Sequence, residues 1–359
     1  MKINFIVPFI SRVGGIKLIF DYSYRLTKLG HDIVIYYPIY PYNNNPGEFD
    51  LVYTLKRFYR LLKQLVSLKN NINKFKNVNF KIKAVPVISN KFIRDADVTV
   101  ASAWTTAFSV KKLSNSKGEK FYFVQDYENW ESNVEYVDRS YKLGLQIITT
   151  CSYLSNLLAS KFKVDSTIIF IAIDNELFQN KNKELIAPKR ILFIDSGMER
   201  KNSEMAIRVI KRLQQKYPHL LFGSFGHRKS HEMPDYIEFS VNPSDDKIKE
   251  LYSNADIFLG TSNVEGFALP PAEAMSCKCA VVTTVVGAVK EYSTNMFSAI
   301  HVEPKNENAM FDAVVFLIEN PEKWREISLN GYSDAQKYLH CWDESVQKME
   351  NVFKSSIKL

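Results

Sequence analysis

Apolar runs broken by glycine-marked turns open the chain. Residues 2–10, KINFIVPFI, form an apolar run typical of a buried strand, and the loop SRVGG follows them. Residues 16–29 carry apolar positions at helical spacing, Gly30 ends that helix, and HDIVIYYP is the next strand. Strand, glycine turn, helix and strand in this order predict a βαβ unit and therefore a parallel sheet. Further strands are predicted at 98–102, 121–125 and 146–150.

The same alternation starts again after a polar segment, NKNKELIAPKR, at residues 180–190. It predicts strands at 190–195, 219–226, 236–240, 255–260 and 279–284, and helices at 203–216, 245–253, 269–277, 306–319, 321–338 and 342–355. We therefore expect two doubly wound α/β domains, 1–183 and 184–341, with a closing helix in 342–359. Ligands of such sheets bind at the carboxyl ends of the strands, so both sets of ends are expected to face a cleft between the domains.

Composition supports a packed protein with an uneven charge. Of 359 residues, 46% are apolar and 24% charged. Residues 1–186 carry 26 lysines and arginines against 16 acidic residues, whereas residues 187–359 carry 21 against 23. The basic front half favours an anionic neighbour, namely membrane lipid, nucleic acid or a phosphorylated substrate. Four irregularly spaced cysteines, with C-x-C at Cys277 and Cys279, predict reduced thiols in a cytosolic protein.

The segment EGFALPPAEAM places two carboxylates on either side of a predicted loop-to-helix junction. Glu265 precedes the loop, and Glu273 lies about one turn inside the helix. Gly266 allows close approach of a ligand to the backbone, and the amides of residues 266–269 are expected to favour an anion at the helix start. Each carboxylate can accept both hydroxyls of a cis-diol. The layout suits a sugar, a diphosphate and a ribose.

A family resemblance rests on this segment. The pattern E-G-F-x-L-x-x-x-E-A-M, followed by SCKCAVV and VVGAVKEY, resembles the donor-site signature of the retaining GT-B glycosyltransferases of family 4. The resemblance implies two Rossmann-like domains facing a central cleft, a nucleotide-sugar as substrate and no cofactor. In that family the second glutamate, here Glu273, holds the ribose, and the first, here Glu265, lies at the transferred sugar and its phosphates. The donor contacts implied between them are Gly266, Phe267, Ala268 and Leu269.

Further motifs extend the resemblance over nearly the whole chain. VGGI, with Gly14 and Gly15, stands where the family has its Gly-Gly loop near the donor diphosphate. RKN, with Arg200 and Lys201, resembles the phosphate-binding K-[GN], so both cations are expected to offset charge on the departing nucleotide. IAIDNELF resembles the family's connector, in which Asp174 is expected to be structural. CWDESVQKMENVF resembles the closing helix, which is expected to pack back on the first domain.

Two departures from the family pattern stand beside these matches. The family usually has an arginine a few residues before the lysine, and here DSG at 195–197 occupies that place, so either Arg200 substitutes or phosphate binding is weaker. Many members have a histidine on the acceptor side, where FVQDYENW has Gln125. A subset that includes rhamnosyltransferases of bacterial surface polysaccharides shows a similar Q-D-Y-E. Gln125 and Asp126 are therefore expected to face the transferred sugar, the alternative being polar residues that end a strand.

The acceptor and the membrane are expected partners of the first domain. Trp104, Tyr127 and Trp130 are candidates for stacking on an acceptor sugar, with core packing as the equal alternative. Residues 51–83 contain nine lysines and arginines, no acidic residue and an apolar stripe, a pattern typical of a helix lying on an anionic membrane surface. The alternative is a core helix with a solvated basic face. Nucleic acid is disfavoured, because no recognised binding module accompanies the basic segment.

No metal site is predicted. The D-x-D at residues 95–97 lies just before a strand and reads as surface, and His227 and His231 have helical spacing but no evident third ligand. We expect a cytoplasmic protein, peripheral at the inner face of the cell membrane. Its expected activity is a metal-independent, retaining transfer of a hexose or deoxyhexose from a nucleotide-sugar to a hydroxyl of a glycan or glycolipid in surface polysaccharide synthesis.

Two other functions remain open at this point. One is a nucleotide-sugar epimerase of the same fold, and the other is a non-catalytic partner subunit that binds a sugar nucleotide or glycan. A dinucleotide oxidoreductase is disfavoured, because SRVGGI is not G-x-G-x-x-G and the two glutamates would have no role. The sequence does not identify the base, the sugar, the acceptor or the oligomeric state, nor whether Gln125 replaces the family histidine in function.

Overall fold

Two parallel sheets organise the chain, one in each half. The computed structural model describes residues 1–10, 14–40, 42, 59, 79–129, 134–173, 178, 180, 182–338 and 342–357. One compact unit consists of Met1–Ile169 with Asp343–Leu359, and the other of Phe170–Trp342. The division at residue 169 falls ahead of the polar segment 180–190, where the sequence places the linker.

The first unit contains a seven-stranded sheet in the order β3-β2-β1-β4-β5-β6-β7, and every neighbouring pair is parallel. Its strands are β1 (Lys2–Ile6), β2 (Asp32–Pro38), β3 (Lys81–Val85), β4 (Val98–Ala101), β5 (Glu119–Val124), β6 (Gln146–Thr149) and β7 (Thr167–Ile168). Its helices include α1 (Gly14–Lys28), α2 (Trp104–Lys111), α3 (Val134–Ser140) and α4 (Ser152–Phe162). The strand order reverses between β1 and β4.

The second unit repeats this winding with a six-stranded parallel sheet in the order β10-β9-β8-β11-β12-β13. The strands are β8 (Arg190–Ile194), β9 (Leu221–Gly226), β10 (Ile237–Val241), β11 (Ile257–Gly260), β12 (Ala280–Thr284) and β13 (Ile300–Val302). The helices are α5 (Ser203–Lys216), α6 (Asp245–Asn254), α7 (Leu269–Ser276), α8 (Val289–Tyr292), α9 (Glu307–Glu319) and α10 (Pro321–Tyr338). The order reverses between β8 and β11, which is where doubly wound sheets bind ligands.

Apolar spacing explains how the helices of the second unit pack on its sheet. Helix α5 buries Ala206, Val209, Ile210 and Leu213, which lie on one face because they are related by steps of three and four residues. Each fully buried aliphatic side chain contributes about 1.5–3 kcal/mol. Trp324 of α10 is also fully buried, and its indole N–H donates to the Asp256 carbonyl at 3.1 Å, so this large ring leaves no buried donor unsatisfied.

Helix α11 (Trp342–Ile357) shares the core of the first unit. Phe353 is fully buried, and its ring lies 5.0 Å from that of Phe121 in β5. Nearby, His31 Nε2 and Glu350 Oε1 form a hydrogen bond of 2.8 Å. Burial lowers the pKa of His31, and this hydrogen bond opposes the shift. Apolar packing and a buried polar pair therefore both hold α11 to the first sheet.

Most predicted elements are confirmed, and two bounds of the first βαβ unit are corrected. The first strand ends at Ile6 rather than at residue 10, because Pro8 has no N–H to donate to a ladder. Helix α1 starts at Gly14 rather than at residue 16. Most of the basic segment 51–83 lies outside the described residues, and its last residues begin β3. No helix in the described part of the chain is long and apolar enough to cross a membrane.

Candidate active site

Loops that follow three strands of the second sheet line a cavity at its carboxyl edge. The loop after β8 contributes Lys201, the loop after β11 contributes Ser262 and Glu265, and the loop after β12 contributes Val286. The cavity has a volume of about 60 Å³ and extends to Pro270 and Pro271 of α7. Because β8 and β11 flank the reversal of strand order, the cavity lies where this sheet type binds its ligands.

Glu265 joins two cations in this cavity. Its side chain is only 9% exposed; one carboxylate oxygen pairs with Lys201 Nζ, and the other lies 3.6 Å from the Arg200 guanidinium. The Ser262 hydroxyl donates to the same carboxylate at 2.6 Å. The structure thus brings Glu265 together with Arg200 and Lys201, which lie more than sixty residues earlier in the sequence. Two positive charges around one carboxylate leave an excess of positive charge for an anionic ligand.

Backbone contacts hold the two charged loops in register. The Asn263 N–H donates to the Arg200 carbonyl at 2.7 Å, and the Thr261 hydroxyl donates to the Lys201 carbonyl at 3.1 Å. From β12, the Thr284 hydroxyl donates to the Ser262 carbonyl at 2.6 Å. Sequence reasoning missed these hydroxyl residues. Their only signal is their place, since each lies at or just after the carboxyl end of a buried strand.

The four residues after Glu265 turn the chain into α7. Ala268 has a left-handed backbone (φ +67°), and the Tyr292 hydroxyl donates to its carbonyl at 2.8 Å. The Tyr292 ring stacks on Phe267 with centroids 5.5 Å apart. Helix α7 begins at Leu269 and has prolines in its first turn. Because proline has no N–H, amides for an anion at this helix start come chiefly from residues 266–269.

Gly287 is expected to control the position of the Glu265 loop. It has φ +56°, and a Cβ there would lie 2.5 Å from the Gly266 carbonyl oxygen and 2.7 Å from that of Glu265. Gly287→Ala should lower the free energy of unfolding by about 1–3 kcal/mol more than Gly197→Ala, because both acquire left-handed strain but only the first adds a backbone clash. Gly197 is the matched control, with φ +66° and open space around its Cβ position. Urea unfolding measures both, and equal losses would contradict the prediction.

Glu273 lies on α7, half-buried, beside a buried tyrosine. The Tyr252 hydroxyl, on α6, donates to Glu273 Oε2 at 3.0 Å. Burial, with the adjacent carboxylate as a second cause, raises the pKa of Tyr252 well above its usual value. The hydroxyl therefore stays protonated and acts as a donor. Sequence reasoning missed Tyr252, because within the helix pattern of residues 245–253 it reads only as a core aromatic.

The Gly-Gly start of α1 and Gln125 come together in the first unit. Gly14 and Gly15 form the beginning of α1, and a Cβ on Gly15 would lie 3.1 Å from Gln125 Oε1. Gln125 and Asp126 are both half-buried and follow β5, and Asp126 Oδ1 accepts the Tyr127 N–H at 2.9 Å. These four predicted residues therefore share one edge of the first sheet, and their roles stay predictions.

The side chains of Trp104 and Tyr127 are packed in the core of the first unit. Trp104 is 4% exposed and Tyr127 is 9% exposed. The Tyr127 hydroxyl donates to Asp138 Oδ1 at 2.7 Å, and its ring packs against Tyr141 and Phe162 at 6.2 Å from each. Trp130, like Asp174 and Cys341, lies outside the described residues. Neither described ring presents an open face for a sugar, so the acceptor role of this pair stays a prediction.

Asp195 belongs to the DSG segment, which lies where the family that the sequence resembles usually has an arginine. It is 2% exposed; one oxygen accepts the Ser230 N–H at 2.9 Å, and the other accepts the Gly197 N–H at 3.4 Å. The side chain thus ties the loop after β8 to the loop after β9. A buried carboxylate in this position supplies no positive charge, so the cations beside Glu265 are Arg200 and Lys201.

The described residues offer no ready set of metal ligands. None of them form a cluster of three or more His, Cys, Asp or Glu side chains that could hold a metal ion. In the D-x-D segment, Asp95 pairs with Lys117 at 2.7 Å, and Asp97 accepts the Lys2 N–H at 2.6 Å. Both aspartates are exposed and make structural contacts. Cys277 and Cys279 are buried, and burial raises the pKa of the Cys279 thiol to about 11.

Full-length structural likeness assigns the fold. Anabaena HepE, solved in complex with UDP, superposes with a TM-score of 0.74 at 14% identity, covering 99% of this chain and 100% of that one. Sucrose-phosphate synthase from Thermosynechococcus elongatus gives a TM-score of 0.71 at 14% identity, over 99% and 98% of the two chains. With two Rossmann-like parallel-sheet units, the protein has the GT-B fold, as predicted.

Residues 174–334 match the family model of the glycosyl transferases group 1. Among curated relatives, an uncharacterized glycosyltransferase of Methanocaldococcus jannaschii is 21% identical over 213 residues, which are 58% of this chain and 59% of that protein. The matches span 39% to 59% of the first three relatives' lengths. Together, the group 1 match and the GT-B neighbours support a GT-B glycosyltransferase.

Proposed function

We propose that this protein is a glycosyltransferase that moves a sugar from a nucleotide-sugar donor to a hydroxyl of a glycan or glycolipid. The observation that carries the proposal is the cavity of the second unit, where Lys201 and Arg200 meet the Glu265 carboxylate near α7, which carries Glu273. The sequence match of residues 174–334 coincides with the part of the chain that builds this cavity.

The arrangement suits departure of a nucleoside diphosphate. In such a reaction, negative charge grows on the leaving phosphates while positive charge grows on the sugar ring. Arg200 and Lys201, held by backbone contacts between their loops, are fixed cations that favour this charge separation. Glu265 orients both cations and lies where it can accept sugar hydroxyls, and Glu273 is proposed to accept the ribose hydroxyls.

Relatives favour a nucleotide-sugar donor and a lipid-linked acceptor. HepE has been solved with UDP and with UDP-glucose. A Campylobacter jejuni relative, 24% identical over 67% of this chain and 64% of its own length, is named N,N'-diacetylbacillosaminyl-diphospho-undecaprenol alpha-1,3-N-acetylgalactosaminyltransferase. We propose a similar class of acceptor here, bound by the first unit through Gln125 and Asp126, with the two sheets as the acceptor and donor domains.

Finer features of the proposal rest on the family resemblance. We propose membership of family 4, retention of anomeric configuration, independence of metal ions, and a hexose or deoxyhexose as the transferred sugar in surface polysaccharide synthesis. The Q-D-Y-E segment favours the rhamnosyltransferase-like subset. A peripheral site at the inner face of the membrane, reached through the basic segment 51–83, completes the proposal.

Nucleotide release tests the activity. The purified protein is incubated with UDP-, GDP-, ADP- and dTDP-sugars, with and without a lipid-linked acceptor, and free nucleotide is measured. We expect release from one donor class that depends on acceptor and gives an extended glycan. Release with modified free sugar and no acceptor would instead identify an epimerase. Binding without release would identify the non-catalytic partner subunit, and no binding at all would overturn the proposal.

A further inference from the structure

We propose that Tyr252 is a positioning residue that sets the orientation of the Glu273 carboxylate and thereby the preference of the site for a ribose with both hydroxyls. The proposal rests on the proposed function and goes beyond it in one respect. It assigns ribose selectivity to a residue that lies behind the carboxylate and acts on it through the hydrogen bond between α6 and α7.

The Tyr252 ring has no room to move. The residue is fully buried, and three aromatic rings surround it at similar centroid distances: Phe225 at 5.8 Å, Phe258 at 5.6 Å and Phe178 at 5.8 Å. Two of these contacts are edge-to-face, with interplanar angles of 77° and 89°. Such close packing fixes the ring plane and therefore the position of its hydroxyl.

The hydroxyl contacts the carboxylate end of Glu273, whose last torsion is soft. The terminal torsion of a glutamate is broad and roughly two-fold, so packing alone does not orient its carboxylate. Tyr252 donates to Oε2 at 3.0 Å from a fixed point. This bond sets the plane of the carboxylate and the directions of its lone pairs, on which simultaneous acceptance from two neighbouring ribose hydroxyls depends.

In this hydrogen bond the Tyr252 hydroxyl is the donor and the Glu273 carboxylate is the acceptor. Burial and the Glu273 carboxylate keep the Tyr252 hydroxyl protonated, as its raised pKa shows. A hydrogen bond from a hydroxyl to an ionised acceptor is about twice as strong as a hydrogen bond between two neutral groups. Removing it leaves the half-buried carboxylate of Glu273 with a less defined orientation, and binding then has to order that group at the cost of affinity.

A purely structural role makes a different prediction. The Tyr252 backbone carbonyl also accepts from the thiol of Cys279, the residue before β12, at 3.1 Å, so Tyr252 contributes to the packing of α6 near the start of that strand. If only packing mattered, loss of the hydroxyl would weaken every ligand of the second unit alike. If Tyr252 acts through Glu273, loss of the hydroxyl weakens only ligands that carry the ribose diol.

Titration calorimetry with UDP and 2′,3′-dideoxy-UDP separates the two roles. For Tyr252→Phe we expect affinity for UDP to fall about tenfold, as one bond to a charged group predicts, and affinity for the dideoxy nucleotide to stay within about twofold. The matched control is Tyr217→Phe, since Tyr217 also donates its hydroxyl to a glutamate, Glu319, in the same unit. This control is expected to leave both affinities unchanged.

Other results would overturn the proposal. These are an unchanged UDP affinity for Tyr252→Phe, or equal losses for the two nucleotides. GDP or ADP with its dideoxy form replaces UDP if UDP does not bind. If none of the three binds but a dTDP-sugar does, this proposal falls and the proposed function stands, because deoxyribose has no hydroxyl pair. If no nucleotide of the four binds, both fall. If Tyr252→Phe does not fold, Phe225→Leu replaces it, since this change loosens the packing that fixes the Tyr252 ring but keeps its hydroxyl. A loss of affinity for UDP alone supports the proposal, and equal losses for the two nucleotides contradict it.

Discussion

Lys201→Ala is expected to lower the rate of sugar transfer about 10²–10³-fold, because one preorganised donor at a developing charge contributes about that factor. Lys201 lines the cavity and pairs with Glu265, so it stands where the leaving phosphates would gain charge. The variant should still fold, since Glu265 keeps the Arg200 guanidinium at 3.6 Å and the Ser262 hydroxyl at 2.6 Å. The rate is measured in the nucleotide-release assay at saturating donor and acceptor.

A surface lysine of the same unit provides the control. Lys323 pairs with Glu326 at 2.7 Å on α10, where both side chains are about half exposed. An exposed pair of this kind contributes about 0–1 kcal/mol to stability, and it has no route to the cavity chemistry. Lys323→Ala should therefore transfer sugar at the parent rate. A Lys201→Ala rate within about threefold of the parent would remove Lys201 from the catalytic role, given the factor expected above.

Glu273→Ala is expected to remove most of the thermal stabilisation that the nucleotide-sugar gives the parent protein. Two hydrogen bonds from ribose hydroxyls to an ionised carboxylate contribute about 1.5–3 kcal/mol each, so affinity should fall at least about 100-fold. With ligand at about 100 times the parent Kd, stabilisation would drop from about 2.7 to about 0.4 kcal/mol. Differential scanning fluorimetry with UDP-, GDP- and ADP-sugars, whose ribose carries both hydroxyls, measures the shift in Tm.

Glu250 supplies the comparison for this variant. It is an exposed glutamate on α6 that pairs with Lys247 at 2.6 Å. Glu250→Ala should retain the full ligand-induced shift, because its exposed carboxylate pairs with Lys247 on the same helix. An undiminished shift in Glu273→Ala would refute the assignment of Glu273 to the ribose, while leaving the roles of the two cations standing.

Local pattern was sufficient for most secondary structure. Helices 203–216 and 321–338 have the bounds that apolar spacing and the flanking prolines predict. The strand ending at residue 6 was predicted too long, because an apolar run does not reveal which N–H groups join a ladder. Strand β13, Ile300–Val302, was not predicted, since three residues give no periodicity to read.

The candidate site was predictable only where charge and motif spacing coincide. Glu265, Glu273, Arg200 and Lys201 stand out because carboxylates and cations next to glycine or proline turns have few structural explanations. Ser262 and Tyr252 did not stand out, because hydroxyl and aromatic residues are common at such positions for packing alone. The aromatic candidates show the converse: Trp104 and Tyr127 were chosen as possible sugar-stacking rings of the first domain, yet both are buried.

By itself, the order of residues determined two doubly wound α/β units and the chemical types of the donor-side groups, because periodicity and side-chain chemistry are local properties of a chain. Which groups touch was decided by the tertiary structure. Lys201 reaches Glu265, and Tyr252 reaches Glu273, only because β8 and β11 lie side by side and α6 packs near α7. Such pairings join residues distant along the chain, and their geometry depends on how all intervening elements pack.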